Sequence, residues 1–174
     1  RLAPRHLSAF KIMFADSQID FADKAAGYRE LEKQLRAMLV GEHDAIANLA
    51  NAAALIFQSL PDLNWAGFYR AAGNELLLGP FHGKPACVRI QIGKGVCGAA
   101  AAPRKTILVK NVNEFPGHIA CDPNSNSEIV VPLLKNDALL GVLDLDSPKL
   151  ARFDAADQTG LEKLAKIIVA ACDW

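Results

Sequence analysis

The chain contains 174 residues, 51% of them hydrophobic, and its 19 basic and 19 acidic side chains give a formal net charge of zero. This length and composition predict one domain with a substantial hydrophobic core. The balanced charge, with no basic stripe or acidic tail, argues against nucleic acid or an anionic membrane surface as a partner. No apolar run approaches the ~18 residues that a membrane-spanning helix requires.

The first 22 residues differ from the rest of the chain. Their opening, RLAPRHLSAFKIMF, is basic, contains Ser and has no acidic residue before Asp16. That composition is similar to the rear of an organelle transit peptide, so targeting by residues 1–15 is one interpretation, and a plain extension is the one we favour slightly. We therefore predict an N-terminal extension over residues 1–22, either a targeting segment or disordered, followed by a single domain over residues 23–174.

Apolar residues at helical spacing predict two helices at the start of this domain. The first covers residues 23–40 and ends at Gly41. The second begins at about Asp44, a suitable N-cap, and ends before Pro61. Each helix has one apolar face, so both are expected to cover a sheet.

Alternating residues and turn signals predict strands in the middle of the chain. NWAGFYRAA alternates, and a Gly-Asn turn leads to a returning strand, ELLLGPF. CVRIQIG alternates next, with Val88, Ile90 and Ile92 on one face. GKGVCGAAAA is a Gly-rich entry to a short helix, and TILVKNV is a strand. EIVVPLL and LLGVLDLD then pair across a turn at residues 135–137.

A last helix is predicted from about Asp154, which completes the order of elements. Consecutive strands joined by short turns form an antiparallel sheet. We therefore predict an α+β domain with a six-stranded antiparallel sheet, whose N- and C-terminal helices lie on one face. The short helix and the long loop at residues 113–126 would cover the other face, with a ligand pocket between them.

Three carboxylates are predicted to converge at the ends of the last two strands. Asp144 and Asp146 are two residues apart in one strand, so their side chains point to the same face. Glu128 stands at the start of the preceding strand, and Cys121 lies in the loop before it. Carboxylates at an apolar strand end are costly without a partner, and a cationic ligand would supply one.

Three of the four cysteines occupy positions that are unusual for an inert core thiol. Cys121 lies in the polar loop HIACDPNSN with His118 three residues before it, and Cys87 opens a strand. Cys97 is predicted in the first turn of the short helix, where the helix dipole would lower its pKa. Cys172 falls on the apolar stripe of the last helix, where a small core residue is expected. Redox or nucleophilic chemistry and inert burial are about equally compatible with the spacing alone.

A Cys/His metal site is another use that these residues could have. The candidate ligands lack the short spacings, such as C-x2-C or H-x3-H, that metal sites usually show. They are Cys87, Cys97, Cys121, His82 and His118. We therefore predict no metal. The scattered cysteines and the lack of a secretory h-region favour a reducing compartment, so we expect a cytoplasmic protein.

Several stretches of the chain, taken together, resemble one family of enzymes. They are NWAGFY, LLLGPFHGKPACVRIQIGKGVCG, HIACD, SEIVVPL and GVLDLDS, and they cover the region from about residue 30 to residue 171. In these motifs the chain is similar to the free methionine-(R)-sulfoxide reductases, which are single-domain GAF proteins. The set is specific, because signalling GAF domains lack the three cysteines together with the acidic strand end.

The resemblance implies reduction of free methionine-(R)-sulfoxide by thiol chemistry, without a metal or an organic cofactor. Cys121 would attack the sulfoxide, Cys87 would resolve the sulfenic acid, and Cys97 would be an auxiliary thiol. An external dithiol such as thioredoxin would reduce the disulfide, in defence against oxidative stress, and the protein could act as a homodimer. The residues lining the pocket would be Trp65 and Tyr69, beside the thioether, with Glu128, Asp144 and Asp146.

The residues themselves are consistent with this chemistry. A free amino acid carries the ammonium that clustered carboxylates need, and crowding raises the pKa of one carboxyl, which could then protonate the sulfoxide oxygen. Cys97 and Cys121 are both candidates for the attack, and the loop position favours Cys121. A non-catalytic GAF domain that binds a small molecule and signals is the alternative. Fold analogy alone favours binding, whereas the cysteines and the acidic cluster favour catalysis.

Overall fold

The structure is a computed structural model that describes residues 19–119 and 121–174. Most of the predicted N-terminal extension therefore lies outside the described residues. The described residues form four helices, six strands and one 3-10 turn at Val112–Glu114. In chain order they are α1 (Lys24–Leu39), α2 (Ala45–Ser59), β1 (Trp65–Ala72), β2 (Glu75–Gly83), β3 (Arg89–Gln91), α3 (Gly95–Ala101), β4 (Ile107–Val109), β5 (Ser127–Lys135), β6 (Ala138–Ser147) and α4 (Ala155–Ala171).

Aspartate caps fix where the three long helices begin. Asp23, Asp44 and Asp154 precede α1, α2 and α4, and each side chain accepts a hydrogen bond from a backbone N–H of the first turn. These bonds satisfy donors that a helix start otherwise leaves free. The predicted helix starts are therefore confirmed for these helices.

The six strands form one antiparallel sheet in the order β3-β2-β1-β6-β5-β4. β5 and β6 are joined by a tight turn at Asn136 and Asp137, whose φ values are 50° and 63°. Positive φ at both central residues is the geometry that suits a two-residue hairpin. The predicted α+β fold with a six-stranded antiparallel sheet is confirmed.

The two faces of this sheet carry separate hydrophobic cores. Helices α1, α2 and α4 pack together on one face, over side chains such as Phe68, Leu143 and Leu145. The smaller core on the other face contains Trp65 and Tyr69 and is covered by α3. The three long helices therefore cover one face of the sheet, and the opposite face is left for the pocket.

One predicted strand is shorter than the sequence pattern suggested. β3 covers only Arg89–Gln91, and Cys87 lies two residues before it rather than at its start. Val88 was predicted to share a face with Ile90, but Val88 is 61% exposed whereas Ile90 is buried. The Tyr69 hydroxyl donates to the Cys87 carbonyl at 3.0 Å. The Cys87 carbonyl therefore binds a side chain rather than a neighbouring strand. The segment just before it, residues 84–86, lines the pocket.

Among the described residues, no helix is both long and apolar enough to cross a bilayer. The longest, α4, has 17 residues and turns its apolar face toward the sheet.

We expect Asp157→Ala to lower the free energy of unfolding by about 3–5 kcal/mol, because a buried ionic network would lose its centre. The Asp157 side chain is fully buried and forms ion pairs with Lys24 and Arg152. It also accepts from the Tyr28 hydroxyl at 3.0 Å. Urea unfolding followed by circular dichroism measures the change.

The matched control is Glu30→Ala, which removes the exposed ion pair of Glu30 with Lys33. Its expected cost is below about 0.5 kcal/mol, since exposed pairs contribute little. Equal costs for the two variants would show that the buried network does not stabilise the packing of α1 on α4.

Candidate active site

The second face of the sheet holds a pocket in which most of the predicted site residues meet. Its walls come from β1, β3, β5, β6, the start of α3 and two loop segments, one at residues 84–86 and the other at residues 118, 119, 121, 122 and 125. The predicted residues that line it are Trp65, Tyr69, Cys97, Cys121, Glu128, Asp144 and Asp146. Cys87 lies beside it, at the end of the first of these loop segments.

The register of the strands brings the three carboxylates together. Glu128 is paired with Asp146 across β5 and β6, and Asp144 lies two residues away on the same face. On the other side of β6, Asp144 faces Gly67 of β1. Glu128 and Asp144 are each only 6% exposed. The convergence expected from the i, i+2 spacing is present in the structure.

Burial raises the pKa of all three carboxyls well above the ordinary range. Repulsion is the second cause for each: from Asp146 on Glu128, from Glu128 on Asp144, and from Asp144 on Asp146. Among the described residues, Asp144 Oδ1 is a buried oxygen without a hydrogen-bond partner. The pocket floor therefore combines carboxyls that retain protons more readily than usual with a buried oxygen that a bound donor could satisfy.

Cys121 and Cys87 lie next to each other although 34 residues separate them. The Cys87 backbone N–H donates to Cys121 Sγ at 3.4 Å. Burial, followed by the hydrogen bond with the Cys87 side chain, raises the pKa of Cys121 to about 12. Both thiols are free and partly exposed. Cys121 is therefore a thiol that retains its proton more readily than usual, beside a second thiol.

The burial of Cys97 and the direction of its pKa shift differ from the prediction. Cys97 is only 3% exposed and belongs to the core of this face. Burial, then repulsion from Asp144 and Glu128, raises its pKa well above the usual value. The prediction that the start of α3 lowers this pKa is wrong, because burial beside two acids outweighs the effect of one short helix.

His118 pairs with an acid rather than with a thiol. Its Nε2 lies 3.7 Å from Glu128 Oε2. Burial lowers the pKa of His118, which favours the neutral imidazole at this position. His118 therefore borders the carboxylate end of the pocket.

Trp65 and Tyr69 form an aromatic wall along β1. Their ring centroids lie 6.0 Å apart at an interplanar angle of 24°, and Phe81 also stacks on Trp65, with ring centroids 5.3 Å apart. A Cβ on Gly67 would come within 2.7 Å of the Trp65 ring, so the wall requires glycine there. Trp65 Nε1 also donates to the Lys84 carbonyl at 3.1 Å. The wall thus holds the segment that leads to Cys87.

Comparisons with known proteins agree with this geometry. The GAF domain family matches residues 43–172. The free methionine-R-sulfoxide reductase of Escherichia coli is 47% identical over 82% of this chain and 86% of its own length, and that of Saccharomyces cerevisiae is 51% identical over 76% and 78%. The chain belongs to the free methionine-R-sulfoxide reductase family.

A solved structure of this reductase family supports the assignment. The free methionine-R-sulfoxide reductase from Neisseria meningitidis, solved in complex with its substrate, superposes with a TM-score of 0.83. The two proteins are 46% identical, and the match covers 86% of this chain and 90% of the other. The resemblance deduced from the sequence motifs is confirmed.

Within the described residues of this family member, one cluster has the composition of a cation site. Side-chain atoms of Cys97, Glu128 and Asp144 lie within 4.8 Å of one another. A thiol and two carboxylates can hold an ammonium or a zinc-type ion. This set differs from the Cys/His combination considered above. His82 stacks on Phe57 at 5.8 Å and is not among the residues that line the pocket.

Sequence reasoning missed a polar network beside the thiols. Asp122 accepts from Lys84 Nζ at 3.1 Å, Asn64 Nδ2 at 3.2 Å and the Asn124 N–H at 2.9 Å. Asn64 Nδ2 also donates to Ser125 Oγ at 3.0 Å. Lys84 and Asp122 belong to the HGKPAC and HIACD motifs of the reductase family, and only their position beside cysteines could have indicated them.

Proposed function

We propose that this protein is an oxidoreductase that reduces free methionine-(R)-sulfoxide to methionine. The observation that carries the proposal is the buried cluster of Glu128, Asp144 and Asp146 beside the adjoining thiols of Cys87 and Cys121. Identity of 47% and 51% to two reductases of this activity supports it. The related structure from Neisseria meningitidis, solved in complex with its substrate, supports free methionine sulfoxide as the ligand.

The substrate is a free amino acid because the pocket floor suits an ammonium. A buried acidic cluster with an unpaired oxygen on Asp144 is stabilised by a cation that donates several hydrogen bonds. The aromatic wall of Trp65 and Tyr69 gives the methylene and methyl groups an apolar surface. A peptide-bound methionine sulfoxide has no ammonium, so it would leave the carboxyls without their partner.

In the chemical step the Cys121 sulfur attacks the sulfoxide sulfur, and the oxygen passes to the cysteine. Methionine leaves and Cys121 becomes a sulfenic acid. The thiol must lose a proton and the oxygen must gain one. Because burial raises the pKa of Asp144 and its neighbours, a protonated carboxyl is at hand as the donor. Methionine is the reduced product, and the thiol is the group oxidised.

A second thiol completes the cycle. The Cys87 thiol attacks the sulfenic sulfur, water leaves, and a disulfide joins Cys87 to Cys121. A thioredoxin-like dithiol then reduces this disulfide by exchange. Cys97 lies against the carboxyls and serves as the auxiliary thiol. This chemistry belongs in a reducing compartment and supports a role in the cytoplasm under oxidative stress.

The test is a thiol titration of the reduced protein before and after addition of free methionine-(R)-sulfoxide, without reductant. We expect two thiols to be lost for each methionine released, and peptide mapping to find Cys87 joined to Cys121. The (S) epimer and buffer alone are the controls. A non-catalytic small-molecule-binding domain would lose no thiols, and that result would refute the proposal.

A further inference from the structure

We propose that Lys84 and Asp122 form a clamp that holds the resolving thiol against the attacking thiol and so sets the rate of disulfide formation. This inference rests on the proposed function. Neither residue touches the reacting sulfur atoms in the described contacts, so both are positioning residues.

The clamp joins the two segments that carry the thiols. Asp122 directly follows Cys121, and Lys84 precedes Cys87 by three residues. Lys84 Nζ lies 3.1 Å from Asp122 Oδ1. The hydrogen bond from the Cys87 N–H to Cys121 Sγ, at 3.4 Å, runs between the same two segments. An ion pair and a sulfur contact therefore connect them side by side.

Asp122 is built into this position as a charged group. Its side chain is only 6% exposed, whereas that of Lys84 is 59% exposed. The Asn124 N–H, followed by Lys84 and Asn64, holds the pKa of Asp122 below its usual value. A buried carboxylate needs partners of this kind, and Lys84 is the one that belongs to the other thiol's segment.

Each of the two segments that carry the thiols is anchored by hydrogen bonds of its own. The ion pair between Lys84 and Asp122 therefore acts mainly on the distance between the segments. The segment of Lys84 and Cys87 is fixed to the aromatic wall through Trp65 Nε1 and the Tyr69 hydroxyl. Asp122 is held by Asn64, which lies just before β1. Removing the Lys84 ammonium therefore leaves both segments anchored and releases only the bond between them.

The consequence appears after the first step of the reaction. Sulfenic acid on Cys121 is resolved only when the Cys87 sulfur reaches it, and a small displacement of one reactant slows such a step strongly. Release of methionine needs Cys121 and the carboxyls but not Cys87. Loss of the clamp should therefore slow resolution more than it slows the first step.

The experiment compares Lys84→Met with two controls. Lys84→Arg keeps the charge, and Lys149→Met removes a lysine that is equally exposed, at 62%, and pairs with Asp62 at 2.8 Å away from the pocket-lining residues. Reduced protein is mixed with equimolar free methionine-(R)-sulfoxide. Methionine release and sulfenic acid, trapped with dimedone, are followed over time.

Relative to the wild type, we expect Lys84→Met to slow disulfide formation about tenfold more than it slows methionine release. Lys84→Arg should recover most of the disulfide rate, and Lys149→Met should match the wild type. A wild-type disulfide rate in Lys84→Met would overturn the clamp. Equal slowing of both steps would overturn it as well, because the ion pair would then act on the pocket as a whole.

If the proposed function is wrong, the experiment gives a different result, because the wild type would then release no methionine. In that case hydrogen peroxide replaces the substrate, oxidises the Cys121 thiol to the sulfenic acid and leaves as water. The same order of disulfide rates among the variants is expected there. Equal rates in peroxide would refute the clamp independently of the substrate.

Discussion

Cys121→Ser is expected to release no methionine in a single turnover without reductant, whereas Cys87→Ser should release about one equivalent. Cys97→Ser should be close to Cys87→Ser. The reason is position: Cys121 lines the pocket beside the carboxyls and is partly exposed, whereas Cys97 is 3% exposed and packed in the core. Quenched mixing with chromatographic detection of methionine measures the burst.

Cys172→Ser is the matched control, because Cys172 is a buried thiol in the core on the opposite face of the sheet. It should give a full burst and thereby show that a serine in place of a buried cysteine does not itself abolish turnover. A full burst from Cys121→Ser together with none from Cys97→Ser would require the two roles to be exchanged.

Asp144→Asn is expected to lower kcat/KM for free methionine-(R)-sulfoxide by about 100-fold or more, because a buried ammonium would lose a charged partner. The replacement keeps the size of the side chain, which is 6% exposed and lies close to Cys97 and Glu128. Steady-state assays with a dithiol reductant provide the measurement.

The sharper form of this experiment uses a second substrate in the manner of a double-mutant cycle. N-acetylmethionine sulfoxide has no ammonium, so the wild type should use it poorly and Asp144→Asn should reduce its kcat/KM only slightly further. If the wild type turned over the acetylated compound as fast as the free amino acid, the acidic cluster would not be an ammonium site.

Much of the site could be predicted because its parts are local. The i, i+2 spacing of Asp144 and Asp146 places both on one face of any strand, and the short turn after β5 brings Glu128 opposite them. The pairing of β1 with β2 follows from a similar turn. Periodicity and turn chemistry are therefore enough to assemble the carboxylates.

The sequence could not predict features that depend on long-range packing. The contact between Cys87 and Cys121 and the ion pair between Lys84 and Asp122 connect loops with no periodic pattern. The rule that a helix start lowers a thiol pKa failed for Cys97, because its burial depends on what α3 covers. Solvent access is decided by the whole fold rather than by neighbours in the chain.

The aromatic wall also gives the protein an internal optical reporter. The chain contains two tryptophans: Trp65 is 3% exposed in the pocket wall, and Trp174 is 38% exposed at the C-terminus. A shielded indole emits at shorter wavelength than a solvated one, so the fluorescence of Trp65 can be separated from that of Trp174. Light emitted from Trp65 would respond to whatever occupies the pocket, while Trp174 serves as a reference within the same molecule.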